Sequence, residues 1–560
     1  MRPLLSAALL ASLLAACASP PAESPRQSGE PLALRIVAVN DFHGYLEPPT
    51  GGWAPPGPAD GPKPARIAAG GAPRLAAAID SLRQGLPHSI VVSAGDNIGA
   101  SPLASALFHD EPSVEALGRM GVSLSAVGNH EFDRGQVELL RIANGGCHPD
   151  KGCFGEPWRG ARFGYLAANV LNEATGKPLF PPYAVREFEG IKVAFVGAVL
   201  RSTPNIVDRR GISGLSFGDE AAAVNALVPE LRSRGVEAIV VLLHEGGFLR
   251  SNAKADDDCV GFTGPLVRIV ERLDPAIDLV VSGHTHQVYR CRLAGRLVTS
   301  AGSYGRLVTA IDLLIDRSTG DVRSATARNV VVDPAQFPAR ADLAAFVSGV
   351  VEHAREPAGR PAGRIGGPFT TAPTAGGEST LGSLVAEAHL AAFRDGGAAD
   401  MAFTNPGGLR APLIPRDPTG TVTYGDLFSA QPFGNTLVAL TFTGADILRL
   451  LERQFRAAPE RSWMLQVAGI EYAWDGRRPL GSRVVPGSVR VGGKPLDPRR
   501  DYRVVVNSFL HGGGDGFGPF RSGRDPAVGS GDLDALERYL AVDPPRTPAR
   551  PGRIWRLDVP

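Results

Sequence analysis

Five short strings gather the residues with which this chain could do chemistry: Asn40-Asp41-Phe42-His43, Gly95-Asp96-Asn97, Gly128-Asn129-His130-Glu131-Phe132-Asp133, His244-Glu245-Gly246 and Gly283-His284-Thr285-His286. Carboxylate, imidazole and amide oxygen are the donors that hold divalent zinc, manganese, iron or magnesium. A carboxylate can also bridge two such ions at about 3.5–4 Å, an arrangement that clamps an in-line displacement at phosphorus. Five of the eleven histidines, His43, His130, His244, His284 and His286, fall within these strings. Glycines stand beside nearly every candidate ligand, where they let the backbone turn sharply and a substrate approach. Any one string alone reads as a turn or a cap. Five in succession do not.

Each string closes an apolar run of strand length. These runs begin at Leu32, Ser89, Ser123, Glu237 and Ile277, and further strand-like runs begin at Ile191 and Arg296. Helical patterns lie between several of them, over Ile67–Leu82 and Asp219–Arg234, the second with Asp219 as its expected N-cap. Near-continuous apolar strands alternating with helices predict an α/β sheet covered on both faces. Open sheets of that kind place their sites at the carboxyl ends of the strands, where all five strings fall.

DFHG, GDN, GNHEFD, LLHEGG and SGHTH, in that order, resemble the successive signatures of the calcineurin-like metallophosphoesterases, and among them of the 5′-nucleotidase/UDP-sugar hydrolase family. The resemblance runs from about Leu32 to Asp316. It implies an α/β fold, a four-layer α/β/β/α sandwich over residues 32–332. It also implies two divalent metal ions, zinc, manganese, magnesium or similar. One would be held by Asp41, His43 and His286, the other by Asn129, His244 and His284, with Asp96 bridging them. His130 would be the catalytic histidine, oriented by Asp133. The implied reaction is hydrolysis of a nucleotide phosphate ester by a metal-activated water, giving nucleoside and phosphate. The same family admits a 2′,3′-cyclic nucleotide phosphodiesterase, a UDP-sugar hydrolase or a thiosulfohydrolase. A surface binding protein with a dead metal site is the alternative from another class; such decay loses ligands, and none of the seven is missing.

Residues 333–365 are rich in Ala, Arg, Pro and Gly, with helical spacing from Ala341 to Arg355, and read as an inter-domain linker helix with loose ends. A second, α+β domain follows over 366–560. Its strings Asn405-Pro406-Gly407-Gly408-Leu409-Arg410, Gln431-Pro432-Phe433-Gly434-Asn435 and Phe509 to Asp515 resemble the family's nucleotide-binding domain, as does Gly376-Gly377-Glu378-Ser379-Thr380-Leu381-Gly382 at its entry. By that resemblance Phe433 and Phe509 sandwich the base, Asp515 bonds the ribose, and Arg410 with Asn405 holds the phosphate side; Asn435 offers its amide to the same pocket. Relatives carry a further substrate arginine shortly before the entry string. Here Thr371 and its neighbours stand instead, which predicts an altered phosphate clamp.

The 560 residues are enough for two or three cores. With 58 Lys and Arg against 57 Asp and Glu, the net charge of +1 provides no field for polymeric nucleic acid, so the expected partner is a small nucleotide met by a monomer. Residues 1–17 read as a lipoprotein signal peptide whose Leu14-Ala15-Ala16-Cys17 resembles a lipobox, with Cys17 lipidated and residues 18–31 a flexible tether. The chain would then touch a membrane only through that lipid, at its periplasmic face. Ala18-Ser19 lacks the aspartate of inner-membrane retention, which favours the outer membrane. Of the remaining cysteines, Cys147 and Cys153 share a short loop and Cys259 and Cys291 flank a strand-like segment, so two disulfides are expected in an oxidising compartment, the other pairings staying open.

Overall fold

The computed structural model describes residues 29–49, 52–54, 65–149, 152–153, 156–249, 259–393, 399–455, 464–549 and 552–558. The segment expected to be a signal peptide, Cys17 and most of the expected tether lie outside the described residues.

The apolar runs form two six-stranded sheets. In the first, the strands Leu32–Val39, Ser89–Ser93, Val122–Ala126 and Gly164–Leu166 run parallel, and Leu307–Ile315 and Val322–Val331 extend the Leu32 edge antiparallel. In the second, Ile191–Val199, Ala238–His244, Leu279–Ser282 and Arg296–Ala301 are parallel, with Tyr183–Phe188 and Val288–Leu293 antiparallel at the two edges. Successive side chains of a strand face opposite ways. Leu34, Ile36 and Ala38 therefore meet Phe195, Val240 and Leu242 between the sheets, while Val37 and Val39 turn outward to the helices. Helices Ala72–Arg83, Glu111–Arg119 and Gly135–Asn144 cover the first sheet; Pro265–Arg272 covers the second. The result is the expected α/β/β/α layering, in which the parallel strands bring their carboxyl ends to one edge.

Two helices differ from the expectation. The first begins at Ala72, because Gly70 and Gly71 hold φ of +100° and +86°, outside helical space. The span Asp219–Arg234 is two helices, Glu220–Asn225 and Val228–Ser233. Pro229 has no N–H for the turn before it and breaks the ladder there. Asp219 is the N-cap, accepting from the Ala222 amide at 3.0 Å.

The helix expected in the linker runs Ala341–Gly359. Leu343, Val347, Val350 and Ala354 join the core outside the first sheet, and Arg340 pairs with Asp80. Strand Pro361–Arg364 then pairs antiparallel with Thr421–Thr423. The second domain is built on a five-stranded mixed sheet in the order Gln466–Ala468, Met401–Thr404, Asp501–Asn507, Thr436–Thr443, Arg524–Gly531. Helices Thr380–Ala391 and Asp532–Leu540 pack together against it, and Gly444–Glu452 belongs to the core on its other side. Disulfides join Cys147 to Cys153 and Cys259 to Cys291.

Candidate active site

All seven candidate ligands meet at the shared strand edge. Asp41, His43 and His286 form one group, and Asp96, His244 and His284 a second. In the first, the Nε2 atoms of His43 and His286 face each other at 3.2 Å, with Asp41 Oδ1 3.3 Å from His286 Nε2. In the second, His244 Nε2 lies 2.9 Å from Asp96 Oδ2, and Asn129 Oδ1 lies 2.9 Å from His284 Nδ1. Asp96 joins the groups, since Oδ2 is also 3.7 Å from His43 Nε2.

The surroundings dictate how these groups point. His43 Nδ1 sits 2.8 Å from the Gly99 carbonyl and His244 Nδ1 2.7 Å from the Ala94 carbonyl, so each ring donates there and turns its Nε2 to the centre. His244 Nε2, although in ion-pair range of Asp96, is fully buried with no aligned hydrogen-bond partner. Burial holds His43 well below the ordinary histidine pKa and His284 at about 3, leaving both as neutral imidazoles. For His244 the same burial is outweighed by the Asp96 carboxylate, which lifts it to about 10. Imidazole nitrogens turned inward around buried carboxylates fit divalent cations, which at His244 would take the place of the proton that Asp96 holds there.

The backbone is strained where the donors stand. Asp41, His43, Asp96, His284 and His286 all take left-handed φ, between +49° and +68°, at a cost of about 1–3 kcal/mol each. Bonds between loops hold them there: Asp41 N to Gly95 O and His43 N to Asp96 O, both 3.0 Å, and Tyr304 N to Asp41 O at 2.7 Å. Gly128 permits the closest approach, since a Cβ there would lie 2.2 Å from Asp96 Oδ1.

His130 stands beside the groups. Its Nδ1 is 2.8 Å from Asp133 Oδ2, and its backbone N–H donates to Asp96 Oδ1 at 2.8 Å. Burial alone would lower its pKa, but the carboxylates of Asp133 and Asp96 outweigh it and hold the pKa above the ordinary value.

A cleft of about 2640 Å³ opens from this edge to the second domain, with Asn405, Arg410, Phe433, Asn435, Phe509, Asp515 and Thr371 all on its wall. The Phe433 ring stacks on His130 at 5.8 Å, and the Arg410 guanidinium lies 5.9 Å from the Phe433 centroid with Nη2 buried and unpaired. Asn405 donates to Asp515 Oδ2 at 2.9 Å and accepts from Asn507 at 3.0 Å. The carboxamide oxygen of Asn435 accepts from the Ser508 hydroxyl and the Phe509 amide.

Glu131 is the functional group that sequence reasoning passed over. Its buried carboxylate accepts from the amides of Asp96 at 2.9 Å, Asn97 at 2.8 Å and Gly128 at 2.5 Å, tying two ligand loops together. Asn40 does the same for the next loop, donating to Asp41 Oδ2 at 2.6 Å and Gly302 O at 2.7 Å. Their place inside the strings was the available signal.

Residues 34–288 match the calcineurin-like phosphoesterase family and residues 350–521 the 5′-nucleotidase C-terminal domain. The chain is 32% identical over 532 residues to the endonuclease YhcR of Bacillus subtilis, a match covering 94% of this chain and 41% of that protein's length. It is 32% identical to the cell wall protein Lmo0130 of Listeria monocytogenes, covering 92% of this chain and 67% of that one. The crystal structure of a 5′-nucleotidase precursor from Thermus thermophilus superposes with a TM-score of 0.77 at 26% identity, over 94% of this chain and all of that one.

Proposed function

The chain belongs to the 5′-nucleotidase family of calcineurin-like phosphoesterases, and from that premise we propose that it hydrolyses nucleotide phosphate esters at the edge where its two domains meet. One observation carries the reading: the strained donor cluster of the first domain and the Arg410–Phe433 pair of the second converge on His130. A donor cluster alone would bind metal. An arginine and an aromatic brought against it add a holder for phosphate oxygens and a face for a base.

Two divalent ions, when bound by Asp41, His43 and His286 and by Asn129, His244 and His284 with Asp96 between, would polarise the phosphoryl group and acidify a water. The protein's own groups do the rest. Arg410 Nη2 donates to a phosphoryl oxygen and fixes the ester against the cluster. His130, held by Asp133, donates to a phosphoryl or leaving oxygen as negative charge develops there. Phe433 and Phe509 grip the base, and Asp515 with Asn405 faces the ribose.

A second reading is a phosphodiester substrate. The match to the endonuclease YhcR covers 94% of this chain at 32% identity, and Thr371, on the cleft wall, is neutral where an arginine would favour the more highly charged monoester. Product analysis of a panel of nucleoside monophosphates, cyclic nucleotides, a dinucleotide and a UDP-sugar, with chelator and Mn²⁺ or Zn²⁺ add-back, tests both readings: monoester hydrolysis frees phosphate, whereas diester hydrolysis leaves a phosphomonoester. Monoester activity that survives exhaustive chelation would sink the metal-dependent reading, and turnover confined to diesters would sink the 5′-nucleotidase reading.

We further infer a periplasmic location, with Cys17 lipidated. Two disulfides and Leu14-Ala15-Ala16-Cys17 support it. No described helix is long and apolar enough to cross a membrane. Labelled-palmitate incorporation that persists in Cys17→Ser would refute the anchor.

A further inference from the structure

Asn435 is tied to two segments that flank the base-holding half of the cleft. Its carboxamide oxygen accepts from the Ser508 hydroxyl at 3.1 Å and from the Phe509 amide at 3.3 Å. Its backbone carbonyl accepts from the Asp532 N–H at 2.8 Å, and its own backbone and side-chain amides face the Asp532 carboxylate. Asp532 is 1% exposed, opens helix Asp532–Leu540, and takes the Leu533 N–H at 2.8 Å. A buried carboxylate keeps its place only where donors satisfy it. Here they come from the start of that helix and from Asn435, two residues beyond Phe433. One side-chain amide thus links the loop bearing Phe433, the segment bearing Phe509 and a buried acid that is not on the cleft wall.

We propose that Asp532, acting through Asn435, is a positioning residue of the base-holding pocket, holding the segment that bears Phe509 in place without touching the ligand. The inference rests on the nucleotide reading above. Asp532→Asn sets an amide against the Asn435 amide donors while keeping the side chain's shape.

The test is steady-state kinetics of the full, manganese-loaded chain on a nucleoside 5′-monophosphate and on p-nitrophenyl phosphate, which has neither base nor ribose. Expected for Asp532→Asn is a KM for the nucleotide raised about tenfold, with its kcat and all p-nitrophenyl phosphate constants within about twofold, and no further loss in a Phe509→Ala background. Asn435→Ala, which leaves the helix start intact, should reproduce the rise in KM if Asp532→Asn fails to fold. An unchanged KM in the folded variants, equal losses on both esters, or losses that add to Phe509→Ala would each overturn the proposal. A wild-type chain that treats the two esters alike would overturn the nucleotide reading and this inference with it. Nucleotide preference that survives intact in both variants overturns the inference alone.

Discussion

The two walls of the cleft are held in place by different means. On the candidate metal side the donors stand at or just beyond the ends of parallel strands, Asp41, His43, Asp96, His284 and His286 with left-handed backbone, and backbone carbonyls hold them: Gly95 O, Asp96 O, Ala94 O and Gly99 O. On the base side the residues sit on loops far apart in the chain, joined through side-chain amides such as Asn405 to Asp515 and Asn435 to Phe509. A wall locked by backbone changes little until a ligand or a brace is removed. A wall tied by side chains can be retuned one residue at a time. The first arrangement suits a fixed reaction; the second suits a choice of substrate.

His130→Ala gives the largest break in that comparison. The variant should keep the metal content of the parent while kcat falls about 10²- to 10⁴-fold on every ester, since it removes a donor and leaves the ligand loops bonded. Metal analysis beside kinetics decides it: parent-like turnover with metals bound would remove His130 from the chemistry. Glu131→Gln should act on the metals instead. It puts an NH₂ against at least one of three N–H donors, and the affinity for Mn²⁺ measured by calorimetry should drop about 10- to 100-fold. An unaltered isotherm would show that the ligand loops hold without it.

The aromatic residues sharpen the contrast. Phe509→Ala should lower kcat/KM for nucleotides about 5- to 150-fold, the equivalent of one lost stacking contact, and leave p-nitrophenyl phosphate alone. Phe433→Ala should reduce both, because its ring also lies on His130. Identical selectivity profiles for the two variants would dissolve the division between the walls.

The metal wall was legible in sequence for the same reason that it is rigid. A parallel strand ends and the polar residues at its carboxyl end face the centre, after a glycine at Asp96, Asn129 and His284 and directly at Asp41 and His244, so residue type and position along an apolar run bring these five to notice. Glu131 was hidden because its partners are amides, which every sequence contains. The base wall was legible only by resemblance. Asn435 reads as a free amide, and nothing near it in the chain announces that Ser508, Phe509 and Asp532 consume it. The span Asp219–Arg234 is different: its apolar periodicity continues across Pro229, where the helix itself cannot.

The smallest effect concerns two buried histidines that differ only in what surrounds them. His244 lies among carboxylates and is lifted to about 10; His389, in helix Thr380–Ala391 behind Gln431, is pressed to about 3 by burial alone. In the unfolded chain His389 takes a proton near the ordinary value of 6.5, whereas in the fold it does not until about 3. Its contribution to stability is therefore full above about 6.5 and is lost as pH falls from there towards about 3, at up to about 1.4 kcal/mol per unit. His389→Leu cannot bind that proton in either state. Chemical denaturation of the metal-free chain and this variant between about pH 7 and about pH 5 should show the wild type losing stability faster by up to that slope, with chelator present so that metal release contributes equally. Parallel curves would mean that His389 is hydrated or paired in the fold, and that the base wall is less dry than its apolar neighbours Ala386, Ala388 and Leu390 imply.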